Sequence, residues 1–167
     1  LYNLSNARQA AHDTGELLVT EGYMDVIALA HAGIRSAVAP LGTALTEDQI
    51  KALWKLTAEP VLCFDGDAAG QRAAHRAADR ALALLEPGRS LRFAYLPKGE
   101  EPDSFIRGAG AGAMRKVIDG ARPLIDLIWD METADRTLDT PERRAELEVQ
   151  LRRRVGQIAD GTVKQYY

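Results

Sequence analysis

Short apolar runs separated by helix-like segments set the pattern of this chain. Residues 16–20 (Glu-Leu-Leu-Val-Thr) read as a buried strand running into Glu21-Gly22. Met24, Ile27, Ala28 and His31 then recur at helical spacing until Gly33 stops them. Residues 36–39 form a second small strand, broken by Pro40 and followed by the turn-like Leu41-Gly42-Thr43. Thr46 and Gln49 have the spacing of a capping box, opening a helix through Leu56 with Ile50, Leu53 and Trp54 as its buried stripe. Pro60 opens a third strand, Val61-Leu62-Cys63-Phe64, which ends in Asp65-Gly66-Asp67. A helix is expected over 69–85, stopped by Pro87-Gly88, and residues 91–95 make the fourth strand. Strands alternating with helices predict the α/β class: a mostly parallel four-stranded sheet with right-handed crossovers and flanking helices.

After Pro97 the pattern changes. Lys98-Gly99-Glu100-Glu101-Pro102-Asp103 is a polar, acidic loop, and a helix starts at Ser104. Glycines at 108, 110 and 112 punctuate before helical segments near 113–118, 123–134 and 141–158. Thr140-Pro141 supplies an N-cap with proline in the first helical position. The expected organisation is a lead-in over 1–15, an α/β domain over 16–108 and an all-helical subdomain over 109–167.

Composition narrows the classes. The chain has 167 residues, 46% hydrophobic but only 6% aromatic, enough for one core built from Ala, Leu, Val and Ile. A net charge of −3 argues against a polycation that coats nucleic acid, while leaving local basic stripes open. The one cysteine, Cys63, rules out an intrachain disulfide and a cysteine-rich zinc site, which suits a reducing cytoplasm. No signal peptide and no apolar stretch of bilayer-spanning length is visible, so no membrane partner is expected. The chain opens at Leu1 in mid-pattern, and we expect an excerpt of a longer protein.

The candidate chemistry lies in the acids. Asp65 and Asp67 share one side of an extended strand end, and Gly66 between them is expected to bend the backbone and leave room for a ligand. Two like charges held that close favour a bound cation. Parallel strand ends gather on one edge, so Glu21, the Asp65/Asp67 pair and the Glu101/Asp103 loop should converge there. The plainer alternative is that Glu21 caps the helix that follows it and that Asp65 or Asp67 caps the helix after it. Arg72, Arg76 and Arg80 fall four apart on one helix and could follow a phosphate backbone. A solvated face is the commoner outcome, and Lys51, Lys55 and Arg152-Arg153-Arg154 are read the same way. His12, His31 and His75 lack zinc-ligand spacing, and Trp54 and Trp129 are expected in the core.

The ordered set Glu21-Gly22-Tyr23-Met24-Asp25-Val26, Leu41-Gly42-Thr43, Asp65-Gly66-Asp67-Ala68-Ala69-Gly70 and Pro102-Asp103 resembles the TOPRIM domain. More closely, it is similar to the catalytic core of bacterial DnaG-type DNA primases, over essentially the whole chain. The resemblance implies a Rossmann-like TOPRIM sheet plus a C-terminal all-helical subdomain. It also implies that an amino-terminal zinc-binding domain, the basic half of the polymerase core and a carboxy-terminal helicase-binding domain lie elsewhere. Carried over, Glu21 is the motif glutamate, for metal binding or general acid/base work, and Asp65 and Asp67 are the metal-binding pair. Asp103 is the last acid, with Glu101 standing where primases commonly have aspartate. Arg72 and Lys98 are the candidate phosphate or nucleic-acid contacts, while Ala68 stands where some relatives carry a basic residue. The implied cofactor is Mg²⁺, with Mn²⁺ as substitute, in two-metal synthesis of short RNA primers. The implied partners are single-stranded DNA template, ribonucleoside triphosphates and, through a missing domain, the replicative helicase in the bacterial cytoplasm. Little activity is expected of this stretch alone, because its acidic edge repels a polyanion. A non-catalytic TOPRIM binding module is the alternative. Haloacid-dehalogenase phosphatases also end a strand in Asp-x-Asp, but on the first strand, and TOPRIM topoisomerases and nucleases match the Glu21–Val26 string less well.

Overall fold

Parallel pairing gives the first four strands a common direction. In the computed structural model, which describes residues 1–40, 42 and 44–167, β1 (Leu18–Val19) lies between β2 (Ala37–Val38) and β3 (Val61–Phe64). β4 (Arg92–Tyr95) pairs parallel with β3, in register from Val61–Arg92 to Phe64–Tyr95. A fifth strand, β5 (Arg122–Pro123), joins β4 antiparallel, giving the order β2-β1-β3-β4-β5. The four expected strands are therefore extended by one from the segment expected to be all helical. Pro123 suits that edge, since a residue without an N–H cannot serve an interior strand. Leu41 and Thr43 of the expected turn lie outside the described residues.

Among the described residues nine helices accompany the sheet. They are α1 (Leu4–Thr14), α2 (Tyr23–His31), α3 (Glu47–Trp54), α4 (Ala68–Leu82), α5 (Pro102–Ala109), α6 (Ala111–Asp119), α7 (Leu124–Thr133), α8 (Pro141–Gly156) and α9 (Gly161–Tyr166). None described is long and apolar enough to cross a membrane. Strands β1, β2 and β3 are buried on both faces, and alternation sorts the side chains of the sheet. Val19, Leu62, Phe64 and Phe93 join one apolar cluster with residues of α1, α3, α4 and α7. Leu18, Val61, Cys63 and Ala94 join the opposite cluster with residues of α2 and α6. The capping box of α3 forms: Gln49 N–H donates to Thr46 Oγ1 at 3.3 Å, and Thr46 N–H donates to Gln49 Oε1 at 2.9 Å. Ile50, Leu53 and Trp54 are buried, and the Trp54 indole N–H donates to Ser90 O at 2.8 Å.

Three sequence expectations change. The lead-in contains α1, which packs through the fully buried Ala7 and Ala11. Trp129 is not core but 50% exposed, because α7 buries the stripe Leu124, Leu127 and Ile128 and the next residue turns away. Arg154 is not on a solvated face. It pairs with Asp79 of α4 and, at 2.6 Å, with Glu132 of α7, fastening α8 to both. Arg72 and Arg76 are exposed as expected, while Arg80 donates to Leu45 O at 3.1 Å.

Candidate metal centre at the carboxyl edge of the sheet

Each acid reaches the edge by a different local device. Glu21 follows the end of β1, and its Oε1 accepts a hydrogen bond from the Asp65 N–H at 3.3 Å, tying the ends of β1 and β3 together. Asp65 follows β3 directly. Asp67 is the N-cap of α4, its Oδ1 accepting from Ala69 N–H at 2.8 Å and Gly70 N–H at 2.7 Å. The capping alternative thus holds for Asp67, and it fixes that carboxylate beside Asp65. It does not hold for Glu21, because Gly22 is the N-cap of α2 and Asp25 accepts its N–H at 3.1 Å.

The glycines act differently from the expectation that Gly66 bends the chain and leaves room for a ligand. A Cβ at Gly66 would lie 1.9 Å from Pro97 O, so the loop after β4 occupies the space a side chain would need. That loop closes on it through Gly66 N–H to Glu100 O at 2.9 Å and Gly99 N–H to Gly66 O at 3.0 Å. A Cβ at Gly70 would meet Asp65 O at 2.4 Å, so glycine is what lets α4 start against the end of β3.

The electrostatics single out Asp65. Its carboxyl is pushed up to about 7, first by burial and then by the charges of Glu21, Asp25, Glu101 and Asp67. Its Oδ1 is buried with no hydrogen-bond partner among the described residues. Asp25 is buried, and burial also raises its carboxyl, against the backbone hydrogen bonds from Gly22 and Asp103 and with the charges of Glu101 and Asp103 adding to the rise. Beneath the rim, burial and the charges of Asp25, Asp65 and Glu21 push the Cys63 thiol up to about 12.

The proposed set is therefore gathered unevenly. Glu21, Asp67 and Glu101 are each within electrostatic reach of Asp65. Asp103 stands one step out, beside Asp25, and pairs with Arg107 at 2.9 Å. Asp25 is the acid that motif reading quoted without a role; its signal is an acid three residues after the Gly22 cap, on a position that must be buried. Lys98 shares a groove of about 770 Å³ with Asp65 and Asp67. Arg72 lines neither that groove nor the 260 Å³ depression lined by both Glu21 and Arg76. Among the described residues, no three acidic, imidazole or thiol side chains stand close enough to enclose an ion together. Mg²⁺ does not require such a cage, since it keeps several waters and binds through one or two carboxylates. The donor set is hard oxygen throughout, and the unpartnered Asp65 Oδ1 fits it.

Comparison with known proteins matches residues 15–95 to the model of the Toprim domain. The chain is 46% identical to the DNA primase of Pseudomonas aeruginosa over 148 residues, covering 88% of this chain and 22% of that protein. It superposes on a DNA primase domain from the same organism with TM-score 0.92 at 42% identity, covering 99% of this chain and 52% of that one. It superposes on a DnaG primase catalytic domain bound to single-stranded DNA with TM-score 0.89 at 40% identity, covering 99% and 53%. The chain thus spans about a fifth of the curated primase and about half of each catalytic domain.

Proposed function

The chain belongs to the Toprim family and, within it, to the catalytic core of DnaG-type DNA primases, and on that premise we propose that it is the metal-holding part of a primer-synthesising nucleotidyltransferase. The observation that carries this reading is the Asp65 carboxylate, half-buried, unpartnered at Oδ1 and surrounded by four other acids. A group in that position is stabilised by a divalent cation more than by anything the chain itself supplies.

Asp65, Glu21 and Asp67 would hold the ions, with Glu101 and Asp103 at the outer edge. When bound, divalent ions supply positive charge at the attacking and leaving oxygens of phosphoryl transfer. The chain's own contribution is preorganisation. The Asp65 N–H fixes the Glu21 carboxylate, the α4 amides fix one oxygen of Asp67, and the backbone contacts at Gly66 and Gly70 hold both aspartates on a rigid strand end. Lys98, in the same groove, draws in phosphate oxygens. Arg72, on the exposed side of α4, serves as a peripheral contact for nucleic acid. The substrates are ribonucleoside triphosphates and a single-stranded DNA template, at a bacterial replication fork in the cytoplasm, with the replicative helicase engaged by another part of the protein. With a net charge of −3, the chain alone binds polyanions weakly and synthesises little primer.

Isothermal titration with Mn²⁺ tests the assignment. The wild-type chain should show a binding heat that Asp65→Ala/Asp67→Ala abolishes, with affinity in the millimolar range. Equal heats for the two proteins would overturn it.

A further inference from the structure

Helix α8 is held on the body more by charge than by burial. Half of its sixteen residues are charged, and a single one, Leu147, is buried. Leu147 belongs to neither apolar cluster of the core, and Leu151 and Val155 are only half-buried. The chain on either side is anchored differently. Leu124, Leu127 and Ile128 of α7 lie in the first cluster, and so does Ile158, with Val163 and Tyr167 packed against it. What fastens the stretch between them is a lattice of ion pairs. Arg154 pairs with Asp79 of α4 and, at 2.6 Å, with Glu132 of α7. Arg136 pairs with Glu146 of α8 at 3.3 Å and with Glu132 at 3.9 Å, so Glu132 is shared.

The lattice also meets the groove that starts at Asp65 and Asp67 and runs between α4 and α7. Asp67, Gln71 and His75 line it at four-residue spacing, and Asp79 is the next position in that row. On the other wall Met131 lines it, beside Glu132 in the chain. Arg154, bound to both acids, ties the two walls together one turn beyond His75. We propose that α8 is a strap that opens as a unit while the α/β body stays folded, with the ion pairs of Arg154 as its latch, and that the closed strap fixes the spacing of the groove walls at their far end. Opening gives up the burial of one leucine and a few half-buried side chains, so it costs less than unfolding the sheet. Ion pairs weaken as salt screens them, whereas apolar burial does not depend on charge. The latch therefore responds to conditions that leave the core intact. None of these residues belongs to the rim, so the strap stands or falls apart from the metal site.

Hydrogen exchange of the whole chain, read by mass spectrometry, tests the strap. Between ~0.1 M and ~1 M NaCl the screening length falls from about 10 Å to about 3 Å, and amides of residues 141–156 should exchange about tenfold faster. Amides of β3 and β4 should keep their rates, and those of residues 131–135, at the end of the groove, should follow α8. Arg154→Met should speed exchange of α8 about thirtyfold at ~0.1 M NaCl and remove most of its salt dependence. Arg153→Met, which removes an exposed neighbour with no partner among the described residues, should do neither. The wild-type salt series needs no variant to fold. Exchange of α8 that ignores both salt and Arg154→Met, or that rises only together with β3 and β4, overturns the strap. Faster exchange of α8 with residues 131–135 unchanged overturns its hold on the groove walls.

Discussion

Replacing Asp65 with asparagine removes one charge from the most crowded point of the rim and keeps the side chain's shape. In the folded chain the Asp65 carboxyl is raised from its ordinary 3.8 to about 7, chiefly by burial and next by Glu21. A carboxyl that holds its proton more tightly when folded than when unfolded costs stability as pH rises between those two values. Below pH ~3 it is protonated in both states and costs nothing; above about 7 it is ionised in both and the cost is complete. At about 1.4 kcal/mol per pH unit the cost is about 4 kcal/mol, and water at a half-buried carboxylate reduces it to about 2 kcal/mol. Urea unfolding in the presence of EDTA reads this directly. Asp65→Asn should exceed the wild type by about 2 kcal/mol near pH ~8, and the two should converge near pH ~3. Added Mg²⁺ should narrow the gap by about 1.4 kcal/mol at ten times its Kd and reverse the order at about a hundred times, where the gain is about 2.7 kcal/mol, since the variant has lost its anchor. A variant no more stable than the wild type at high pH without metal, or a difference that does not change with pH, would refute the reasoning.

Gly66→Ala should cost about 3 kcal/mol, because the new methyl meets the Pro97 carbonyl. Gly108→Ala in α5, with nothing within 4 Å, should instead gain about 0.5–1 kcal/mol; urea midpoints compare them. Arg154→Met should cost about 2 kcal/mol by leaving Glu132, 11% exposed, with only the longer 3.9 Å pairing to Arg136, and Arg154→Lys should recover less than half, as thermal unfolding will show. Cys63, with its thiol pushed up to about 12, should resist thiol reagents in the native chain and react readily in urea; fast native labelling would contradict its burial.

The strands were legible because burial on both faces leaves short, nearly continuous apolar runs, and the convergence of Glu21, Asp65 and Glu101 follows from parallel strand ends sharing an edge. What the pattern hid has physical reasons. Helix α1 packs through alanines, whose burial leaves no large apolar stripe to count. Strand β5 is an Arg-Pro pair held by its partners Arg92 and Phe93 rather than by any strand propensity of its own. The need for glycine at 66 comes from Pro97, thirty-one residues away, which no local pattern reports. Asp25 was masked by its place in a helical string, where an acid reads as surface unless the cap and the neighbouring loop are known to enclose it. Arg154 sat in a run of three arginines, and only the packing of α8 on α4 and α7 separates it from the other two.

Crystals of the chain soaked in Mn²⁺ and measured at the manganese edge address the rim itself. Anomalous density should lie in contact with Asp65 Oδ1, with Glu21 or Asp67 as a neighbouring ligand. Manganese bound only at other carboxylates, with Asp65 left untouched, would contradict the claim that this edge is built to hold divalent ions.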